Sequence, residues 1–298
     1  MSNGWSLYVI VLTLVCIVGC TWLLFWARTK RVGEPGKGET VGHNFDGIEE
    51  FDSPLPRWWL WLFLGSILFG LAYLVLYPGL GSFPGLLGWS SRGQFDEEVQ
   101  RANAKYGPLY AQYAARPIPD LLKEPQALQI GQRIFANTCV GCHGSDARGG
   151  VGFPNLTDND WLYGGAPEQI ETSILRGRGG VMPPFAAAVG GEEGVAQVIA
   201  YVLSLSGRQT DPALAAAGKQ KFQTICIACH GPEGKGNQAL GAPNLTDNIW
   251  LYGSTPAAIS EGLQKGRAGK MPAHADIIGP EKVHLVAAYV YSLSTTPQ

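Results

Sequence analysis

The sequence predicts a mainly α-helical protein: two membrane-spanning helices followed by two tandem copies of a small helical domain. Three observations carry this. Two 20-residue runs, Leu7 to Trp26 and Trp58 to Tyr77, are almost wholly apolar and free of charge. Residues 126–207 and 213–295 are copies of one another. Each copy opens and closes on a helical stretch around a Gly/Pro/Asn-rich middle.

Each apolar run makes a helix about 30 Å long, the thickness of a hydrocarbon core. Aromatic residues gather at the ends, with Trp5, Trp22 and Trp26 on the first run and Trp58, Trp59, Trp61, Tyr73 and Tyr77 on the second. That is the interfacial belt of a membrane helix. The stretch Ile17-Val18-Gly19-Cys20 imitates a lipoprotein cleavage box, but Met1 to Trp5 carries no Lys or Arg and the apolar run continues to Trp26. A retained anchor is expected over a cleaved signal peptide, with Cys16 and Cys20 as small apolar residues one helical turn apart. Arg28, Lys30, Arg31, Lys37 and Arg57 lie between the runs, and the next positive residue is Arg92. The positive-inside rule puts residues 28–57 in the cytoplasm and both termini outside a bacterial inner membrane, with membrane lipid around 1–77. Overall, charged residues are 15% and hydrophobic ones 46%, as expected of a membrane part joined to a soluble part. The net charge of −2 gives no basic excess for nucleic acid.

The repeat is long. Pro154-Asn155-Leu156-Thr157-Asp158-Asn159 recurs as Pro243-Asn244-Leu245-Thr246-Asp247-Asn248, and Trp161-Leu162-Tyr163-Gly164 as Trp250-Leu251-Tyr252-Gly253. Ala200-Tyr201-Val202 recurs as Ala288-Tyr289-Val290. A period of 87 to 89 residues exceeds that of a solenoid, so each copy is expected to be a domain. The helical stretches are Leu128 to Thr138 and Gly194 to Leu205 in the first copy, and Leu214 to Ile225 and Glu281 to Leu293 in the second. Gly131 and Gly218, eight residues before each first motif cysteine, would let the first helix of a copy pass close to its last one, near Tyr201 or Tyr289. Residues 78–125 form a linker or arm, helical at Phe95 to Lys105.

Each opening helix leads into the same motif: Cys139-Val140-Gly141-Cys142-His143 and Cys226-Ile227-Ala228-Cys229-His230. Two thiols at this spacing add to the two vinyl groups of one haem, and the adjoining histidine reaches the iron. A lone Cys-x-x-Cys would leave a redox dithiol or half a zinc site open; two copies, each followed at once by histidine, favour two covalently bound haem c groups. The expected fold is therefore two transmembrane helices followed by two tandem class I cytochrome c domains. Covalent haem attachment of this kind is periplasmic in a bacterium, in agreement with the charge pattern.

Apart from Met1 the chain has two methionines, Met182 and Met271, at matching places 39 residues after His143 and 41 after His230, each followed by proline. Methionine more often serves as plain core packing. One per haem copy, in register, marks both as axial ligands of the haem irons beside His143 and His230. Thioether sulfur favours ferrous iron and a six-coordinate iron has no open position, so electron transfer is expected and catalytic residues are not. His274, three residues past Met271, is a rival ligand, although a surface or haem-edge place is the plainer reading; like His284, it belongs only to the second copy. Arg176, Arg178, Lys265, Arg267 and Lys270 precede the methionines and are candidates to pair with propionates or to steer an acidic partner, against the plainer solvated loop. No histidine lies in either apolar run, so neither supplies an axial ligand to a haem at membrane depth.

With these motifs in place, the chain resembles the dihaem subunit, subunit III, of cbb3-type cytochrome c oxidases. The resemblance rests on the two haem copies, on Gly42-His43-Asn44-Phe45-Asp46-Gly47-Ile48-Glu49-Glu50 and Pro54-Leu55-Pro56-Arg57-Trp58-Trp59, and on Tyr77-Pro78-Gly79-Leu80-Gly81 and Gly93-Gln94-Phe95 to Tyr106-Gly107. It implies a non-catalytic electron-transfer subunit of an oxygen-reducing, proton-translocating complex. Electrons would come from a periplasmic c-type cytochrome donor and pass to the monohaem cytochrome c subunit and then the catalytic haem–copper subunit. It also implies that Glu49 and Glu50 lie near a proton entry of the catalytic subunit. Two other functions stand beside this one: a free-standing membrane-anchored dihaem carrier, which needs only one helix, and a dihaem peroxidase, which needs a vacant iron site that two axial methionines deny.

Overall fold

A computed structural model describes residues 2–29, 38–51 and 56–295. Lys30, Arg31 and Lys37 of the positive cluster, and Pro54 and Leu55 of the loop motif, lie outside the described residues. The chain divides into two compact units, residues 1–104 and 105–298.

The first unit holds helix α1 (Asn3–Arg28) and helix α2 (Arg57–Leu76), both long and apolar enough to cross a membrane. Between them a hairpin joins β1 (Thr40–Phe45) to β2 (Ile48–Phe51), with Phe45 paired to Ile48 around Asp46-Gly47. Asp–Gly suits the positive φ that such a two-residue turn requires, and both residues adopt it, at 52° and 89°. The Ser82 amide donates to the Ser6 hydroxyl at 2.9 Å, so the start of α1 and the chain leaving α2 are neighbours. Helix α3 (Ser91–Ala114) extends well past the expected Phe95–Lys105 at both ends. It carries Pro108, which cannot donate to the carbonyl of Ala104, the last residue of the first unit.

The second unit is helical and mixes the two sequence copies. After the short α4 (Ile118–Leu121) come α5 (Pro125–Thr138), α6 (Val140–His143), α7 (Pro167–Arg176), β3 (Arg178–Met182) and α8 (Gly191–Leu205). The second copy repeats the order with α9 (Pro212–Lys221), α10 (Ile227–His230), α11 (Pro256–Lys265), β4 (Arg267–Met271), the extra turn α12 (Ala275–Ile278) and α13 (Pro280–Thr295). A π-helical turn, Phe222–Cys226, carries α9 into the second motif. Proline opens α5, α7, α9 and α11, where its missing N–H costs no hydrogen bond. Asp211 caps α9 by accepting from the Ala213 and Leu214 amides, and Thr255 caps α11 by accepting from Ala258.

The opening helix of each copy packs on the closing helix of the other and not, as expected, on that of its own copy: α5 lies against α13, and α9 against α8. Gly131 and Gly218 are the crossing points. A Cβ on Gly131 would meet the Leu285 carbonyl and stand 2.8 Å from Tyr289 Cβ; one on Gly218 would meet the Gln197 carbonyl and stand 3.0 Å from Tyr201 Cβ. The aromatic residues seal each crossing, with Phe135 on Tyr289 at 5.5 Å between ring centroids and Tyr201 on Phe222 at 5.2 Å. Two hydrophobic clusters result. One gathers Ile118, Leu121, Phe135 and Ile170 with Val283, Leu285, Val286 and Val290, and the other gathers Val189, Val195, Val198 and Val202 with Phe222 and Leu263. Burial of these aliphatic and aromatic side chains is the main force holding the copies together, at about 1.5–3 kcal/mol per fully buried large side chain.

The middle of each copy is more regular than its Gly/Pro/Asn content suggests. Strands β3 and β4 pair antiparallel, one from each copy, with Arg178 opposite Met271 and Met182 opposite Arg267.

Candidate haem sites

Each motif sits where a long helix breaks. Cys139 ends α5, and the short α6 carries Cys142 and His143. Cys226 ends the π-helical turn, and α10 carries Cys229 and His230. Cys139 and Cys226 are half-buried, whereas Cys142 and Cys229 are exposed. Burial, with the neighbouring motif thiol second, pushes Cys139 up to about 11 and raises Cys226 as well.

His143 and His230 are both buried, each 9% exposed. His143 Nδ1 lies 3.1 Å from the Pro154 carbonyl and His230 Nδ1 3.1 Å from the Pro243 carbonyl. Such a partner fixes the ring with Nδ1–H donating and leaves Nε2 as a free lone pair, the arrangement of a metal-binding imidazole. Burial is the main cause that holds both rings below their ordinary pKa, and the carbonyl contacts oppose it. The prolines that accept these bonds begin the repeated Pro-Asn-Leu-Thr-Asp-Asn segment. There Asn155 and Asn244 each accept from the amide two residues on, at Thr157 and Thr246, in tight Asx turns.

The structure brings the methionines to these motifs crosswise. Met271, of the second copy, packs in the cluster of Phe135, Cys139, Val140, Leu156 and Trp161. Met182, of the first copy, packs in the cluster of Phe222, Cys226, Ile227, Leu245 and Trp250. Both positions follow from the β3–β4 ribbon and the turns that enter it. Gly177 and Gly266 end α7 and α11 at φ 72° and 74°, and a Cβ on either would collide with backbone of the opposite strand's methionine segment. Beyond the strands, the Phe185 and Ala186 amides donate to the Leu263 carbonyl at 2.8 and 3.0 Å, and the His274 amide to the Ile174 carbonyl at 3.0 Å.

Two of the basic residues preceding the methionines are built into this frame. Arg178 lies 4.8 Å from the Tyr163 ring centroid and donates from Nε to the Ser173 hydroxyl at 2.8 Å. Arg267 lies 4.6 Å from the Tyr252 ring centroid and donates to the Ala258 carbonyl at 2.8 Å, with Glu261 at 3.4 Å. His284 is largely enclosed. Its Nδ1 lies 2.9 Å from a Glu171 carboxylate oxygen and its Nε2 2.8 Å from the Arg116 carbonyl, so it ties α13 to α7 and to the chain entering α4. A lone histidine gives no sequence signal for such a place.

The residues present fit a haem. Among the described residues, two buried side-chain nitrogens lack hydrogen-bond partners, Trp250 Nε1 and His274 Nδ1. Trp250 belongs to the Cys226 cluster, and His274 follows Met271 on the Cys139 side. Buried polar nitrogens without partners are rare, and here they fall beside the motifs, where the carboxylates of a bound group would accept from the indole N–H and from an Nδ1–H.

Two family models match the chain. The N-terminal domain of cytochrome oxidase-cbb3, FixP, matches residues 37–84, and cytochrome C oxidase, cbb3-type, subunit III matches residues 126–202 and 213–290. The cbb3-type cytochrome c oxidase subunit CcoP of Rubrivivax gelatinosus is 49% identical over 296 residues, covering 99% of this chain and 96% of that one. Subunit FixP of Sinorhizobium medicae is 39% identical across 89% of this chain and 98% of its own length, and subunit CcoP of Cereibacter sphaeroides 39% identical across 87% and 96%. With repeated cytochrome c domains behind two apolar helices, and relatives matched from end to end, the chain belongs to the CcoP/FixP family, subunit III of cbb3-type cytochrome c oxidases.

Proposed function

We propose that the chain is the dihaem electron-transfer subunit of a cbb3-type terminal oxidase. Cys139 and Cys142 would hold one haem c covalently, and Cys226 and Cys229 the other. His143 and Met271 would ligate the first iron, and His230 and Met182 the second. The carrying observation is the crosswise packing, in which Met271 and Met182, the two methionines besides Met1, each pack beside one histidine motif. Bound haem supplies a one-electron couple, raised in potential by thioether ligation. The chain's own part is to seal each site with aliphatic and aromatic side chains and to fix each proximal ring through its proline carbonyl.

The helix pair α1–α2 anchors the chain in a bacterial inner membrane. Positive residues between the helices favour a cytoplasmic loop and periplasmic termini and haem unit. Electrons would enter from a periplasmic c-type cytochrome and leave to the monohaem cytochrome c subunit and the catalytic haem–copper subunit. Purification in mild detergent tests this: the chain should co-purify with an oxygen-reducing complex and be reduced by a c-type cytochrome. A chain that never accompanies such a complex contradicts it.

A further inference from the structure

The two haem sites match residue for residue through the histidines, prolines, tyrosine–arginine pairs and methionines. They part three positions past the methionine. Phe185, after Met182, packs into the cluster around Phe222 and Cys226. His274 takes that position after Met271. Its backbone is pinned to Ile174 of α7, and its Nδ1 is shut off from solvent with no hydrogen-bond partner. A polar ring at this place, where the other copy carries phenylalanine, leaves an unsatisfied nitrogen in the chain alone.

We infer that His274 is a haem-contacting residue of the His143 site alone, its Nδ1–H donating to a propionate carboxylate. This rests on the reading that His143 and Met271 share one iron. Propionates are the hydrogen-bonding groups at the edge of a haem, and a buried N–H beside the crevice has them as its partners. Trp250 offers a similar donor at the other site, but both copies carry tryptophan there; His274 is what sets the two apart. A donor to the propionate offsets part of its negative charge, which favours ferrous iron. His274 therefore raises the potential of the first haem and makes the two haems unequal.

The test is a redox titration of the full-length protein, as wild type, H274F and H274Q, followed by the haem α-band and the methionine–iron charge-transfer band. Phenylalanine is the residue the first copy uses at this position. In H274F one midpoint should fall by the equivalent of about tenfold in its reduction equilibrium, ~59 mV for one electron. The other midpoint and both methionine bands should stay. H274Q, which keeps an N–H donor, should recover part of the shift. Unchanged midpoints in H274F overturn the inference. So does a methionine band gained in H274F, because His274 would then be the iron ligand itself. A wild type with fewer than two methionine-ligated haems overturns the ligand reading beneath it, and that result is distinct from an unshifted midpoint.

Discussion

Gly131 of the first sequence copy lies against Tyr289 of the second, so close that a Cβ on the glycine would stand 2.8 Å from the tyrosine Cβ and 3.1 Å from the Leu285 carbonyl carbon. The neighbour is mostly helix backbone, which cannot turn aside as a side chain can. Gly131→Ala is therefore expected to destabilise the protein by about 1–3 kcal/mol despite alanine's better helix propensity. Thermal unfolding monitored at the Soret band checks this. A melting temperature at or above wild type would contradict the close crossing.

His284 spans Glu171 and the Arg116 carbonyl, and its removal leaves both acceptors partly buried. His284→Phe keeps much of the ring volume and deletes both hydrogen bonds. A loss of about 1–3 kcal/mol is expected, measured by denaturant unfolding at neutral pH. Little or no loss would show that the bridge carries no net stability.

Asp158 and Asp160 follow the loop that holds His143, and burial raises both carboxyls above their ordinary 3.8. For Asp160, repulsion from Asp247 and then Asp158 adds to burial. The folded state thus binds the proton more tightly than the unfolded state. Stability from this group is fully present below 3.8 and is lost as pH rises through the raised folded value. Asp160→Asn should accordingly raise the melting temperature at pH 7, and the gain should shrink towards pH 3. A gain that does not depend on pH would point to a cause other than charge.

Much of this was legible in the residues. Charge-free apolar runs of 20 residues read as membrane helices because a helix satisfies every backbone group within the segment itself, and both runs are helical. The two repeated motifs were equally legible as a pattern, two thiols and a histidine at a spacing that points to covalent haem. The crossing was not legible. Gly131 and Gly218 are chemically equivalent, and so are Tyr201 and Tyr289, so the pattern fits a crossing within each copy, as expected, just as well as the crossing between copies that forms. Chain connectivity decides: only residues 206–211 separate α8 from α9, and consecutive helices so joined fold back on one another. Helix α13 is then left to cover α5. The β3–β4 ribbon was hidden for another reason. Arg178-Gly179-Gly180-Val181-Met182 lacks apolar alternation and takes its order from pairing with its own repeat.

The measurement that bears most directly on the crosswise ligand sets uses the full-length protein with Cys226→Ala and Cys229→Ala, which leaves the Cys139–Cys142 motif as the single attachment site. Adding Met271→Leu should abolish the methionine–iron charge-transfer band of the remaining haem, while adding Met182→Leu should leave it. The reverse outcome, with the band lost in Met182→Leu and kept in Met271→Leu, would show that each copy ligates its own haem and would contradict the account.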